Sequence, residues 1–158
     1  MTSPAGKLVI AQMTQDEADE IADWRYDPPY DFYDARADES ELTLLLDPER
    51  RRDRTFSARG DTGEIVGFFT YFRDGDAVVV GLGLRPDLTG RGLGTSFVEQ
   101  GLEFARGRYE PMRFRLSVAE FNGRAIKVYE RAGFVRTRSF PQETNGGTYP
   151  FLEMERPA

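Results

Sequence analysis

Val78-Val79-Val80-Gly81-Leu82-Gly83-Leu84-Arg85-Pro86-Asp87-Leu88, followed by Thr89-Gly90-Arg91-Gly92-Leu93-Gly94-Thr95, is the stretch whose reading decides the fold. The apolar run up to Leu84 reads as a strand. Beyond the glycines, Phe97, Val98, Gly101, Leu102 and Ala105 recur at helical spacing and give one apolar face. The order is therefore strand, glycine-rich turn, helix. Gly90, Gly92 and Gly94 carry no Cβ, so the backbone between them can bend sharply and bring its N–H groups close to a ligand. Those amides stand at a helix N-terminus, where about half a positive charge from the aligned peptide dipoles favours an anion. The stretch implies a phosphate or pyrophosphate site.

The two familiar nucleotide loops fit it poorly. A nucleoside-triphosphate loop ends in Gly-Lys followed by Ser or Thr, whereas Gly94 is followed by Thr95 and Ser96. A dinucleotide fingerprint needs Gly-x-Gly-x-x-Gly after the first strand of its unit and an acidic residue about 20 positions on. Here the spacing is Gly-x-Gly-x-Gly, in mid-chain.

At these residues the chain resembles the GNAT acetyltransferase superfamily, whose pyrophosphate loop follows the fourth strand. That loop reads Gln or Arg, two residues, Gly, one residue, then Gly or Ala. Gly92 and Gly94 fill the glycine places, and Thr89 stands where Gln or Arg is usual. The departure removes one side-chain contact and leaves the backbone amides. A second block strengthens the resemblance: Leu116-Ser117-Val118 ends a strand, and Asn122 through Gly133-Phe134 follows. Asn122 suits an N-cap, Ala125, Ile126, Tyr129 and Ala132 share one helix face, and Gly133 suits the position just past the helix end. This is similar to the family's later strand-helix-strand unit, in which an Asn precedes a helix carrying Tyr.

The resemblance implies an α+β fold, a mostly antiparallel mixed sheet of about seven strands flanked by about four helices, with a central parallel pair that splays apart. It implies acetyl-CoA as acyl donor, held by Thr89, Gly90, Arg91, Gly92, Leu93, Gly94 and Thr95. Leu82 and Leu84 would offer main-chain groups to the pantetheine arm, and Asn122 and Lys127 would contact the coenzyme. Tyr129 is the implied acid for the departing thiolate. A phenol near pKa 10 is protonated at pH 7 and can donate to a thiolate of comparable basicity. The plain alternative for Tyr129 is a core aromatic.

Composition narrows the chemistry. The 158 residues suit one domain, 1–158, with 39% hydrophobic and 13% aromatic residues arguing for a folded globule. No apolar run approaches the ~20 residues of a membrane span, and the first residues show no apolar signal core, so a cytoplasmic setting is expected. The chain has no Cys and no His, which excludes disulfides, thiol nucleophiles, imidazole bases and the usual zinc ligands; no metal is expected. A net charge of −6 argues against nucleic-acid binding. From Thr14 to Asp47 there are twelve acidic and two basic residues, a balance of −10, which leaves +4 for the remainder. A cationic substrate on the acidic side and an anionic cofactor on the basic side fit this polarity, as do two merely solvated faces.

Lys7 to Met13 reads as a strand, and Thr14 with Glu17 as a capping box opening a helix to about Trp24. Asp27-Pro28-Pro29 ends it. Tyr30 to Ala35 reads as a short helix and Leu42 to Leu46 as a helical piece. Thr55 to Arg59, Ile65 to Phe72 and Ala77 to Leu84 read as strands, and Val135 to Phe140 with Tyr149 to Glu155 as a closing hairpin around Asn145-Gly146-Gly147.

The base is the missing part. Relatives place a Glu where this chain has Ser117, or an acid in the strand before the phosphate loop, which here is Val78-Val79-Val80-Gly81. Asp31 and Asp34 are the outlying candidates. Trp24, Tyr26, Tyr30 and Tyr33, interleaved with Asp34, form a candidate aromatic and acidic pocket for an acceptor ammonium, with surface packing as the competing explanation. The leading reading is an acetyl-CoA-dependent N-acetyltransferase, in which a small-molecule, peptide or protein amine attacks directly in a ternary complex. The competitor is a CoA-binding regulatory or catalytically inactive protein of the same fold. Neither a nucleic-acid nor a membrane partner is expected, and a homodimer stays open.

Overall fold

The computed structural model describes residues 6–158; the first five, part of the segment read as lacking a signal core, lie outside them. The chain runs β1 (Val9–Gln12), α1 (Gln15–Ala22), 3-10 turns at Tyr30–Tyr33 and Ala35–Ala37, α2 (Glu39–Leu46), α3 (Pro48–Arg51), β2 (Thr55–Arg59), β3 (Ile65–Asp74) and β4 (Ala77–Leu84). A third 3-10 turn, Pro86–Leu88, leads to α4 (Gly94–Tyr109), β5 (Arg113–Ala119), α5 (Gly123–Arg131), β6 (Val135–Thr144) and β7 (Gly147–Pro157). The seven strands form one sheet in the order β1-β2-β3-β4-β5-β7-β6. All neighbours are antiparallel except β4 and β5.

That exception positions the site. β4 and β5 pair only at Ala77–Arg113, Val78–Phe114 and Val79–Arg115. β4 stays bonded to β3 through Leu84, and β5 to β7 through Ala119. Beyond Val79 the sheet is therefore split into two halves with a gap between them.

The two-residue period of a strand sorts the faces. Phe69, Tyr71, Val78, Val80, Phe114, Leu116 and Val118 join Phe97, Val98 and Leu102 of α4 and Ile126 of α5 in the main core. On the other face, Ile21, Ala22, Trp24 and Leu45 of the α1–α2 region form a second cluster, with Phe68 packed against it. The main core contains five phenylalanines under 2% exposed, Phe56, Phe69, Phe97, Phe114 and Phe134, each worth about 2–3 kcal/mol of transfer free energy. α4 lies so close to β3 that a Cβ on Gly101 would meet the Phe69 ring at 2.2 Å.

Several elements differ from the sequence reading. α1 stops at Ala22, because Asp23 and Trp24 donate to Glu20 O and Ile21 O in a tightened last turn. Tyr30 to Ala35 is a pair of 3-10 turns. α2 starts earlier, at Glu39, because the Asp38 carboxylate accepts the N–H groups of Ser40 and Glu41. Asp47 with Pro48 opens α3, a fifth helix that the sequence reading left out. The closing hairpin runs to Thr144 and Gly147, where Asn145 and Gly146 take φ of 52° and 74°.

Candidate functional site

One cavity of about 1340 Å³ runs through the gap from one face of the sheet to the other. Its walls follow from the ladder. Arg85 donates its N–H to Val66 O at 2.8 Å. Hydrogen bonds alternate along an antiparallel pair, so the main-chain groups of Leu82 and Leu84 point away from β3, into the gap. The Leu84 carbonyl is taken by the Tyr26 hydroxyl at 2.7 Å. Leu82 has no such cap.

On the α4 side, the loop from Thr89 to Thr95 brings backbone amides to the cavity. Gly90 and Gly92 adopt φ of 70° and 75°, a region that side chains resist. Gly94 is small for another reason: a Cβ there would stand 3.0 Å from Val128 of α5. No side chain caps the helix at Leu93, so the first-turn amides of α4 stay available to an anion. Thr89 spends its hydroxyl on Pro86 O at 2.7 Å, closing the 3-10 turn. Gly90, Gly92, Leu93, Gly94, Thr95, Asn122 and Lys127 all line the cavity, but Arg91 does not. The Arg91 guanidinium reaches back only to Asp87 O, at 3.4 Å on the exposed side, so its side chain stands apart from the cavity that the other loop residues share.

On α5, two arginines join Lys127, the residue expected to contact the coenzyme. Arg124, Lys127 and Arg131 recur at i, i+3 and i+7, so they share one helix face, and all three line the cavity. Arg124 lies 4.0 Å above the Tyr30 ring and near Gly90. Asn122 is spent as the N-cap of α5, accepting Ala125 N–H at 3.1 Å. The uncapped helix end, open main chain and cationic face form a cradle that suits a diphosphate with an extended arm.

On the opposite side the aromatic cluster lines the cavity but uses its faces internally. Trp24 packs against Phe68 in the second core. Tyr30 carries Arg124 on its face, and Tyr33 packs with Phe32 and Phe121. Asp34 accepts Tyr26 N–H at 2.9 Å, a loop staple more than a free base. Asp31 is not in the cavity wall. The polarity is also mixed: Asp38 and Glu41 line this side together with Arg50 and Arg54.

Two phenols meet at the end of the gap. Tyr129 lines the cavity from α5, and burial together with the neighbouring Tyr33 pushes its hydroxyl well above the ordinary phenol range. Tyr33 is raised by burial, against the hydrogen bonds it accepts from the Asn122 side chain and from Ala119 N–H, the latter at 3.1 Å. Both remain protonated at neutral pH. Sequence reasoning missed Thr70, Phe68 and Ser117 as wall residues. Alternation within the strands would have put Phe68 and Thr70 on one face, but only the register shows what they oppose.

Among the described residues there is no group of three or more potential metal ligands, and no helix is long and apolar enough to cross a membrane. Known structures share this architecture. A chimera of Vibrio cholerae spermidine N-acetyltransferase and hSSAT superposes with a TM-score of 0.78 at 16% identity, covering 96% of each chain. The Vibrio cholerae spermidine N-acetyltransferase in complex with CoA and spermine gives 0.75 at 18%, covering 95% of each. A ribosomal-protein-S5-alanine acetyltransferase from Vibrio fischeri gives 0.66 at 15%, covering 99% of this chain and 96% of the other. At such identities the likeness speaks for the fold alone. No curated protein matches. The model of the Acetyltransferase (GNAT) family matches residues 17–134, and the chain therefore belongs to the GNAT acetyltransferase family.

Proposed function

We propose that the protein transfers an acetyl group from acetyl-CoA to a primary amine by direct attack within a ternary complex. The observation that carries this reading is the parted strand pair: Leu82 turns uncapped main-chain groups into a gap that continues to the uncapped N-terminus of α4. A diphosphate at the Gly90–Thr95 loop, with Arg124 and Lys127 alongside, sends its thioester arm along β4 into that gap. The main chain at Leu82 faces the carbonyl oxygen as it gains charge. Tyr129 donates its proton to sulfur as the C–S bond breaks and the C–N bond forms; the amine's surplus proton leaves to water, and water returns a proton to the phenolate. Burial that raises the phenol's pKa raises that of a buried thiol as well, so the transfer stays feasible.

The acceptor is an amine whose deprotonation at pH 7 needs little help. An α-amino group costs about 1.4 kcal/mol, a lysine-like amine about 4–5. The named acceptors of the structural neighbours, spermidine and a protein alanine, differ too much to choose between them. The direct test follows thiol release from acetyl-CoA with spermidine, an alanine-terminated peptide and free amino acids. Tyr129→Phe should lower kcat by about 100-fold or more with acetyl-CoA affinity within twofold. Equal turnover removes Tyr129 from the mechanism. Tight CoA binding without release for any amine favours the regulatory reading.

A further inference from the structure

We infer that the hydroxyl of Thr70 orients the acceptor amine over the thioester, standing where a β4 side chain would otherwise project; this rests on the transferase reading above. Thr70 of β3 is the cross-strand partner of Gly81 of β4. A Cβ built on Gly81 would lie 2.3 Å from Thr70 Oγ1, closer than any real contact, so the hydroxyl already occupies the place of the missing side chain. Two residues along, the Phe68 ring does the same over Gly83, at 2.3 Å. The two glycines let β3 side chains lean across β4 to the rim of the gap, and Phe68, Thr70, Gly81 and Gly83 all line the cavity.

The face matters as much as the distance. Phe68 and Thr70 project to the α1–α2 side, opposite Phe69 and Tyr71, which pack toward α4. The phosphate loop is on the α4 side. An acyl donor threaded from that side leaves its carbonyl carbon open to the other, where Thr70 stands one residue from the main chain of Leu82. No hydrogen bond ties the Thr70 hydroxyl to another described residue, and it is not among the side-chain atoms sealed from solvent. Phe68, packed on Trp24 with ring centroids 6.3 Å apart, fixes the wall beside it.

A hydroxyl both accepts and donates. By accepting one N–H of a neutral amine it aims the lone pair at the carbonyl carbon, which is an orienting effect. It does not remove the proton, because an alcohol is far too weak a base at pH 7. The surplus proton goes to water, so kcat/KM should rise with pH along the acceptor's own pKa and plateau above it. A Glu at position 81 of β4 would collide with Thr70.

The test compares Thr70→Val, which keeps the shape and removes the oxygen, with Thr70→Ser, which keeps the oxygen. The probes are acetyl-CoA with spermidine and with an alanine-terminated peptide, followed by thiol release. Thr70→Val should lower kcat about 10- to 100-fold with the acetyl-CoA KM within twofold and an unchanged melting temperature. Thr70→Ser should regain at least about a third of the wild-type kcat. Thr70→Val with wild-type kcat overturns the role of Thr70 and leaves the transferase reading intact. So does a Ser variant as slow as the Val variant. Wild-type protein that binds acetyl-CoA yet releases no thiol with either probe or with any amine of the wider panel overturns both.

Discussion

Replacing Glu17 with Gln tests whether the acceptor-side helix is held by charge. Glu17 sits at the third position of α1, where its Oε1 accepts Thr14 N–H at 3.0 Å, completing the capping box. The same carboxylate accepts the Ser57 hydroxyl at 2.9 Å, and it binds the Arg59 guanidinium by Nε to Oε2 at 2.7 Å and Nη2 to Oε1 at 2.8 Å. It therefore ties α1 to β2. The Arg59 hydrogen bond is the main reason its pKa falls from 4.5 to about 2, against a partial desolvation that raises it. A lowered folded pKa means stability that is fully present above the unfolded value and lost as pH falls toward the folded one. The difference is worth at most about 3.4 kcal/mol at 1.36 kcal/mol per pKa unit. The side chains of Arg59 and Glu17 are 25% and 16% exposed, so solvent screens the pair in part and about 2 kcal/mol is the expected loss in Glu17→Gln at pH 7. Urea denaturation of both proteins between pH 7 and 3.5 measures it. Wild type should lose about 1 kcal/mol more than the variant by pH 3.5. A gap under about 0.5 kcal/mol at pH 7, or parallel losses on acidification, refutes the assignment.

Two further substitutions probe the scaffold. Asp38 caps α2 and also accepts the Thr144 hydroxyl at 2.5 Å and Asn145 N–H at 3.2 Å, while Asn145 Nδ2 donates to Phe32 O at 2.7 Å. Asp38→Ala should cost about 1–2 kcal/mol and speed amide exchange at both α2's first turn and Asn145. The Thr144 hydrogen bond holds the Asp38 carboxyl below its usual range, so the latch should persist above the ordinary carboxylate pKa and loosen as pH falls below it. Exchange at Asn145 that ignores the substitution would show that the hairpin tip is held by other contacts. Gly101→Ala gains about 1 kcal/mol of helix propensity but drives a methyl into the Phe69 ring, so a net loss of about 1–3 kcal/mol is expected in thermal unfolding, and a stabilised variant would contradict the close approach of α4 to β3.

The parts of the molecule legible in the sequence were those with local signals. The loop glycines, the Asn122 cap and the apolar face of α4 need only neighbours in the chain to be recognised. The start of α2 was hidden because Asp38-Glu39-Ser40-Glu41 reads as a solvated acidic run, and two of the partners that hold Asp38, Thr144 and Asn145, lie more than a hundred residues away. The hairpin was read too short, its first strand stopping at Phe140 before Pro141 and its second starting at Tyr149 beside Pro150. The two prolines oppose each other beyond the last β5 pair, at Phe151, and on an outer strand that leaves solvent, not a neighbour, beside Pro141. The aromatic run around Tyr30 lines the cavity, and which ring faces are spent on Arg124, Phe121 and Phe68 depends on distant segments. Arg91 was included with the loop whose amides the resemblance implies as ligands, and its side chain lies outside the cavity wall. Thr70 could not be found from the sequence at all, since its place over Gly81 is a matter of register between β3 and β4.

The gap costs the sheet ladder hydrogen bonds beyond Val79, and that ties the fold to the proposed chemistry. If β4 and β5 stayed paired beyond Val79, each further residue would add ladder hydrogen bonds in place of main-chain groups facing water; a typical net gain is about 1 kcal/mol per bond. Two devices limit the loss. The Tyr26 hydroxyl caps the Leu84 carbonyl, and Leu116 and Val118 keep their side chains in the main core although this part of β5 is paired with β7 and not with β4. Leu82 turns main-chain groups to the cavity too, and no described side chain caps them as Tyr26 caps Leu84. A sheet selected for stability would close there. One that leaves its opening beside an uncapped helix end and a loop of positive-φ glycines is shaped for a ligand that supplies the missing partner, which is why saturating CoA should slow amide exchange at Leu82 and at the first turn of α4 together.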